Sequence, residues 1–255
     1  MDFNWFDEDR EQVLKRSREA GLSRILNPGI DLPSSRAAIR LAEQNQDVFA
    51  AVGVHPNEST SWDAEMYTEL RALAEHPKVV AIGEIGLDFY RDRAPRALQE
   101  KVFRAQLELA AEADLPVIIH NREATEDILK VLEDWLEGRE AENLASGERP
   151  GVLHSYSGDT PTAEKAIAMG FLIGFTGPVT FRNAPDLQRV AAELPLESLL
   201  VETDAPFLAP HPKRGKRNEP ANVRLIAEKL AELHGENLET VAQVTTANAQ
   251  RLFLW

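Results

Sequence analysis

Cysteine is absent from the 255 residues of the chain, which excludes a disulfide framework and a thiolate metal site. No apolar run approaches the ~20 residues of a membrane span, and the charged N-terminus is unlike a secretory signal. We therefore expect a cytoplasmic protein that has no membrane association. Positive charge is also scarce: the net charge of −14 argues against broad, nonspecific coating of DNA. It leaves room for a local basic patch that handles one phosphate.

Short apolar runs alternate along the chain with amphipathic helical segments. Most runs are apolar on consecutive residues, as parallel strands buried on both faces are. Repeated βα units in a chain of this length predict a single domain, residues 1–255, with the (β/α)8 TIM-type barrel fold. No strand precedes the first helix, so we expect the barrel to lack its first strand in the chain as given. The predicted strands lie in SRILNPGI, VFAAVGV, VVAIGEIG, LPVIIH, GVLHSYSG, GFLIGFTG and LLVETDAP.

Four of these runs are predicted to end in a residue suited to metal or acid–base chemistry. The residues are Glu84, His120, His154 and Asp204. Because the C-terminal ends of parallel barrel strands open on one face, the four side chains are expected to converge. Two imidazoles and two carboxylates suit a divalent metal such as Zn²⁺, Mn²⁺ or Mg²⁺. A single strand-end histidine is more often a hydrogen-bonded structural residue, and it is the convergence of four residues that favours a metal site.

For two other residues near the strand ends, His55 and Asp88, two alternative roles stay open. His55 either contacts substrate or anchors its loop by a hydrogen bond. Asp88 either orients a metal ligand or caps a turn. Gly83 and Gly86 are expected to let the backbone turn sharply where the strand of Glu84 ends. Asp204 can hold a metal and also take a proton from the attacking water.

A basic loop follows Asp204 in the segment PHPKRGKRNEP. It contains Lys213, Arg214, Lys216 and Arg217. Such a loop can clamp a phosphate group, or it can be an ordinary solvated loop. A neighbouring metal site favours the phosphate contact.

Several segments, in order along nearly the whole chain, resemble the TatD family of metal-dependent deoxyribonucleases, which are amidohydrolase-like TIM barrels. They are GVHP, IGEIGLDFY, PVIIHNREA, VLHSYSGD, IGFTGPVTF, LVETDAPFLAP and RGKRNEPANV. The resemblance implies two adjacent divalent metals, with Glu84 bridging them, His120 and His154 completing one site, and Asp204 serving the other. It further implies hydrolysis of DNA phosphodiester bonds, as a 3′–5′ exonuclease, by a monomer with no obligate protein partner. Lys216, Arg217 and Asn218 resemble the family's phosphate-contacting loop.

One part of the family pattern is missing. Family members begin with a strand that ends in a His-x-His pair, whereas the first histidine here is His55. We expect the given start to lie too late in the chain, and the four remaining ligands to hold one metal. Two alternatives stay open: a barrel hydrolase that acts on another substrate class, and a degenerate, non-catalytic barrel that binds nucleic acid or a partner.

Overall fold

The computed structural model describes residues 1, 4–91, 93–141 and 150–255. In that part of the chain seven strands alternate with nine α-helices, and all seven predicted strands are present. The strands are β1 (Ile25–Pro28), β2 (Val48–Val52), β3 (Val79–Asp88), β4 (Val117–Arg122), β5 (Gly151–Leu153), β6 (Leu172–Phe175) and β7 (Leu199–Val201). The helices are α1 (Arg10–Glu19), α2 (Leu32–Gln44), α3 (Ala64–Ala74), α4 (Arg96–Ala113), α5 (Thr125–Ala141), α6 (Thr160–Ala168), α7 (Pro185–Glu193), α8 (Val223–His234) and α9 (Leu238–Phe253).

The sheet order follows the chain order from β1 to β7. Parallel pairing is seen between β2 and β3, β3 and β4, β4 and β5, and β6 and β7. Helices connect the strands, as right-handed βαβ crossovers require. The predicted TIM-type (β/α) architecture is confirmed, and the described residues form seven strands, as expected for a barrel that lacks its first strand.

The chain folds into two compact units. The first, which we call the histidine unit, comprises residues 26–154, 168–171 and 252–255 and contains β2 to β5. The second, the C-terminal unit, comprises residues 1–25, 155–167 and 172–251 and contains β6 and β7. That the whole chain is one domain stays a prediction. None of the helices described combines the length and the apolar character that crossing a membrane requires.

Strand β3 shows why consecutive apolar residues predicted these strands. Every residue from Val79 to Asp88 is buried except Glu84, which is half-buried. The strand is covered on one side by α4, whose Phe103 and Leu107 are also buried. A continuous apolar run is the sequence pattern of a strand that is packed on both faces.

The predicted end of this strand was wrong. Glu84 does not end β3, which continues for four more residues to Asp88. Ile82 pairs with Val117 and Ile85 pairs with Ile119, so β3 has one more residue than β4 across this interval. Such a bulge changes the direction of the side chain that it carries, here that of Glu84.

Gly86 allows β3 to remain in the sheet beyond this bulge. Its φ is +140°, and a Cβ atom there would lie 2.0 Å from the backbone oxygen of His120. Glycine is therefore required for close approach to β4, and not for the sharp turn that we expected.

Candidate metal centre

Three side chains of the histidine unit meet at the bulge of β3. His55 follows β2, Glu84 lies in β3 and His120 lies in β4, and one ligand atom from each lies within 4.8 Å of the others. Nδ1 of His120 is 2.7 Å from Oε1 of Glu84, and Nε2 of His55 is 3.9 Å from the same oxygen. The two imidazole rings are 4.3 Å apart between centroids, edge to face. The structure therefore brings together two of the four predicted metal ligands and the histidine predicted to contact substrate.

The carboxylate of Glu84 is held in its ionised form. Burial favours the neutral form and would raise its pKa, but the charge of His154, the hydrogen bond with His120 and the charges of His120 and His55 outweigh burial. The pKa of Glu84 consequently lies well below its ordinary value. An ionised, half-buried carboxylate is a suitable ligand for a divalent cation.

His120 lies between two carboxylates. Its Nε2 is 3.3 Å from Oδ2 of Asp88, on the side of the ring opposite Glu84. Burial opposes protonation, but the bonds and charges of Asp88 and Glu84 raise the pKa of His120 to about 9. Nε2 is nevertheless buried without a well-directed hydrogen bond. The two carboxylates around the ring favour a cation at this place, and with a pKa of about 9 that cation is the protonated His120 itself. A divalent metal would bind Nε2 only by displacing its proton.

The hydrogen bond at His55 fixes which ring nitrogen carries the proton. Nδ1 of His55 accepts a hydrogen bond of 3.1 Å from the backbone N–H of Asn57. Burial lowers the pKa of His55 to about 4, so the ring is neutral at neutral pH and its hydrogen is on Nε2. Nε2 is then a donor and is not free to hold a metal. Both roles predicted for His55 are compatible, because Nδ1 anchors the loop while Nε2 faces the site.

Asp88 caps a turn, which is one of the two roles that the sequence left open, and it also contacts His120; orienting a metal ligand stays a prediction. Its Oδ1 accepts hydrogen bonds from the backbone N–H groups of Tyr90 and Arg91, at 3.1 and 2.9 Å, and so caps the turn after β3. Its Oδ2 accepts a 3.1 Å bond from Nδ2 of Asn57 and faces His120. The pKa of Asp88 is held below its ordinary value: burial would raise it, but the His120 contact and these bonds outweigh burial.

Sequence reasoning missed three amide side chains that position this site. Asn57 joins the loop of His55 to Asp88. Gln99 bonds the backbone N–H and C=O of Asp88 at 2.8 and 3.1 Å. Gln106 bonds the backbone N–H and C=O of Val54 at 2.7 and 3.0 Å. A signal was present, because the two glutamines are seven residues apart, on one face of α4, and that face is otherwise apolar.

His154 directly follows β5, one residue beyond the strand that it was predicted to end, and its backbone N–H donates to the carbonyl of Ile119 at 2.9 Å. Its charge contributes to the low pKa of Glu84. Asp204 belongs to the C-terminal unit, and its role as a ligand stays a prediction. Strand β7 ends at Val201, so Asp204 lies in the following loop with a φ of 55°, and not at the end of the strand as predicted.

The residues predicted to contact phosphate differ in their surroundings. Lys216 is exposed. Arg217 makes two hydrogen bonds to the carboxylate of Asp9, at 2.8 and 2.7 Å. Asn218 is fully buried and donates to the carbonyls of Thr203 and Phe207 at 2.6 and 2.7 Å. Arg217 and Asn218 therefore have structural bonds in this structure, and a phosphate contact by any of the three stays a prediction.

Comparison with known proteins gives concordant matches over nearly the whole chain. The sequence model of the family described as TatD related DNase matches residues 1–254. The uncharacterised metal-dependent hydrolase YabD of Bacillus subtilis is 43% identical over 248 residues, which cover 97% of this chain and 94% of that protein. A 3′–5′ ssDNA/RNA exonuclease TatD of Erwinia tasmaniensis is 40% identical over 254 residues, covering 97% and 95%. The crystal structure of the TatD homologue YjjV of Escherichia coli superimposes with a TM-score of 0.91 at 33% identity, and the match covers 100% of this chain and 95% of that one.

Proposed function

Because this chain belongs to the TatD related DNase family and is a metal-dependent hydrolase, we propose that it hydrolyses phosphodiester bonds of single-stranded DNA from the 3′ end. The observation that carries the proposal is the ionised Glu84, with the imidazole nitrogens of His120 and His55 at 2.7 and 3.9 Å from one oxygen. A similar relative is named as a 3′–5′ exonuclease of single-stranded DNA and RNA, which supports this substrate class.

The metal ligands in this proposal are Glu84, His120, His154 and Asp204. The donor set fits Mg²⁺, Mn²⁺ or Zn²⁺, and Nε2 of His120 is a buried nitrogen without a well-directed hydrogen bond, which would bind the ion after losing its proton. A bound divalent cation supplies Lewis acidity, which polarises a phosphoryl oxygen and lowers the pKa of water. The protein is proposed to hold one or two such ions.

The side chains around the cation have separate proposed roles. Glu84 stays ionised at neutral pH and contributes the negative charge that holds the ion. Nε2–H of His55 donates to a non-bridging phosphate oxygen, since its Nδ1 is already bonded to the loop. Asp204 takes a proton from the attacking water. Lys216 contributes positive charge to phosphate binding. Arg217 and Asn218, whose side chains are bonded within the protein, are proposed to act with it by holding this loop in place. We further propose that the enzyme acts as a cytoplasmic monomer.

The proposal is tested with a single-stranded oligonucleotide labelled at its 5′ end, incubated with the purified chain in Mg²⁺, in Mn²⁺ or in EDTA. We expect a ladder that shortens from the 3′ end with metal and no cleavage in EDTA. Glu84→Gln keeps the shape of the side chain but removes its charge, and it is expected to lower the rate at least 100-fold. Glu239→Gln, on an exposed turn of α9, is the matched control and should leave the rate unchanged.

Cleavage that persists in EDTA, or in the Glu84→Gln variant, would contradict the proposed chemistry. Internal cuts with no shortening from the 3′ end would support nuclease activity but would contradict exonuclease action from the 3′ end. If the oligonucleotide stays intact while an amide or a lactone is hydrolysed, the enzyme acts on another substrate class.

A further inference from the structure

An exposed aromatic patch lies in the C-terminal unit, beside the loop that contains Asp204. In the part of the chain that the structure describes, five large apolar side chains are strongly exposed, and three of them, Trp5, Phe207 and Leu208, make up this patch. Trp5 is 55% exposed and Phe207 is 45% exposed. Their ring centroids are 5.7 Å apart and the planes are tilted by 59°. Clustered exposed aromatic rings on a folded protein indicate a binding surface.

Two residues that are adjacent in the chain, Arg217 and Asn218, bind the backbone that carries the two rings of this patch. Nη1 of Arg217 donates to the backbone carbonyl of Trp5 at 2.5 Å, while the same guanidinium is bonded to Asp9. Nδ2 of Asn218 donates to the backbone carbonyl of Phe207 at 2.7 Å. The backbone behind each ring is therefore tied to residues that are themselves paired or buried. A surface positioned in this way is organised before a ligand arrives, which lowers the entropic cost of binding.

The basic residues of the loop that carries Phe207 favour a polyanion as the ligand, although Asp7 and Glu8, which follow Trp5 in the chain, are also exposed. Lys213, Arg214 and Lys216 lie between Phe207 and Arg217 in the chain, and all three are exposed. The guanidinium of Arg214 lies over the ring of Phe181, with 4.1 Å from Cζ to the ring centroid. Exposed cations in one loop with an exposed aromatic ring are a combination that binds single-stranded nucleic acid, in which phosphates contact the cations and bases stack on the rings.

The patch is also linked to the residue proposed to accept the proton of the attacking water. The backbone N–H of Phe207 donates to the carbonyl of Asp204 at 2.8 Å, across a single turn. A base that stacks on Phe207 is thereby held by the same turn that carries Asp204. Stacking on Phe207 would position the base, and with the base its nucleotide and the phosphate that reacts.

We propose that Trp5 and Phe207 form a stacking site for an unpaired nucleobase of the substrate, and that Arg217 and Asn218 are positioning residues for it. This inference rests on the proposed function. A stacking site takes any base, because every base has a π-face, but it requires that base to be unpaired. The site would thus favour single-stranded over double-stranded substrate without reading a sequence.

The experiment measures binding, in EDTA so that no cleavage occurs, by fluorescence anisotropy of a 5′-labelled single-stranded oligonucleotide. A second oligonucleotide has the same phosphates but abasic sites at its 3′-terminal positions. Loss of one stacked base should weaken binding by about 5- to 140-fold. We expect Trp5→Ala and Phe207→Ala each to weaken binding of the natural oligonucleotide by a factor in this range and to leave binding of the abasic one almost unchanged.

Two further variants separate stacking from other effects. Trp5→Phe keeps a π-face and should retain most of the preference for the natural oligonucleotide, whereas Trp5→Leu, apolar but without a π-face, should lose it. Trp255→Ala is the matched control, because Trp255 packs on Phe49 near the amino end of β2 and belongs to an aromatic cluster outside the patch. Circular dichroism of each variant verifies that it is folded.

Equal weakening of natural and abasic binding in the Trp5→Ala and Phe207→Ala variants would overturn the stacking site. So would unchanged binding of both oligonucleotides while the unaltered chain still cleaves DNA in Mg²⁺, and in that case the proposed function would survive. An unaltered chain that neither binds nor cleaves the natural oligonucleotide would overturn the proposed function together with the stacking site.

Discussion

Replacing Asn218 separates a structural role from a phosphate contact. The side chain is fully buried and makes four hydrogen bonds. It donates to the carbonyls of Thr203 and Phe207 at 2.6 and 2.7 Å, and accepts from N–H of Glu219 at 2.9 Å and from Nδ2 of Asn222 at 2.8 Å. A residue with this set of partners has no donor left for a phosphate unless the loop rearranges.

The loss expected for Asn218→Ala follows from these bonds. A hydrogen bond contributes about 0.5–1.5 kcal/mol net to stability, so four bonds give roughly 2–6 kcal/mol. The donor bonds to Thr203 and Phe207 are only partly buried, so water satisfies some of the freed groups. We therefore expect the free energy of unfolding to fall by about 2–4 kcal/mol.

Asn218→Asp is the matched variant, because it keeps the size and the accepting oxygen but replaces the donor by a second oxygen. At neutral pH the introduced carboxylate would face two carbonyl oxygens, so the free energy of unfolding should fall at least as far as in Asn218→Ala. Its pKa in the folded state should be raised, because only the protonated form can donate. The stability of this variant, relative to the unaltered chain, should therefore be greatest below the unfolded pKa and decline as pH rises through the folded pKa.

Urea denaturation of the two variants, from pH 4 to pH 8, measures both expectations, and oligonucleotide binding is measured on the same samples. A variant that unfolds at the same urea concentration as the unaltered chain, and yet binds DNA more weakly, would refute the structural role and favour a direct phosphate contact. A loss of stability that does not depend on pH in Asn218→Asp would refute the assignment of the amide nitrogen as the donor.

Further predictions concern two glycines and one ion pair. Gly86→Ala should cost about 3 kcal/mol or more in unfolding free energy, because its φ of +140° is strained for alanine and its Cβ would overlap the backbone of β4. Gly174→Ala should cost about 1–3 kcal/mol, because the added Cβ would displace the carboxylate of Glu202, which accepts a 3.1 Å hydrogen bond from the backbone N–H of Ser155. Arg217 lowers the pKa of Asp9 below its ordinary value of 3.8, so the stability from this pair should be present at neutral pH and be lost as pH falls below about 3.8. The melting temperature of Asp9→Asn, compared with that of the unaltered chain from pH 7 to pH 3, should not show this loss of stability at acid pH. The same dependence of melting temperature on pH in both proteins would contradict the prediction.

The positions of the strands could be predicted because burial on both faces leaves a simple sequence pattern. The runs VVAIGEIG and LPVIIH both proved to be strands, and they contain Glu84 and His120, which contact each other at 2.7 Å. Neither residue ends its strand as predicted, because β3 continues to Asp88 and β4 continues to Arg122. The strand limits were less predictable, since the continuation of β3 to Asp88 depends on a bulge and on a glycine that closely approaches β4. Both are properties of pairing with another strand, and a single run of sequence does not contain that information.

Tertiary hydrogen bonds also decide what the site residues can do. The sequence showed a histidine after β2 but did not indicate which of its nitrogens is available, and that depends on the N–H of Asn57. It showed a basic loop after β7, but only the structure shows that Arg217 is paired with Asp9, which is more than two hundred residues away in the chain. Residue type thus predicted which chemistry is present, whereas the state of each group is set by partners distant in sequence. For this reason the stacking site was not foreseen: Trp5 and Phe207 are separated by nearly the whole chain, and the bonds of Arg217 and Asn218 hold the backbone behind both rings.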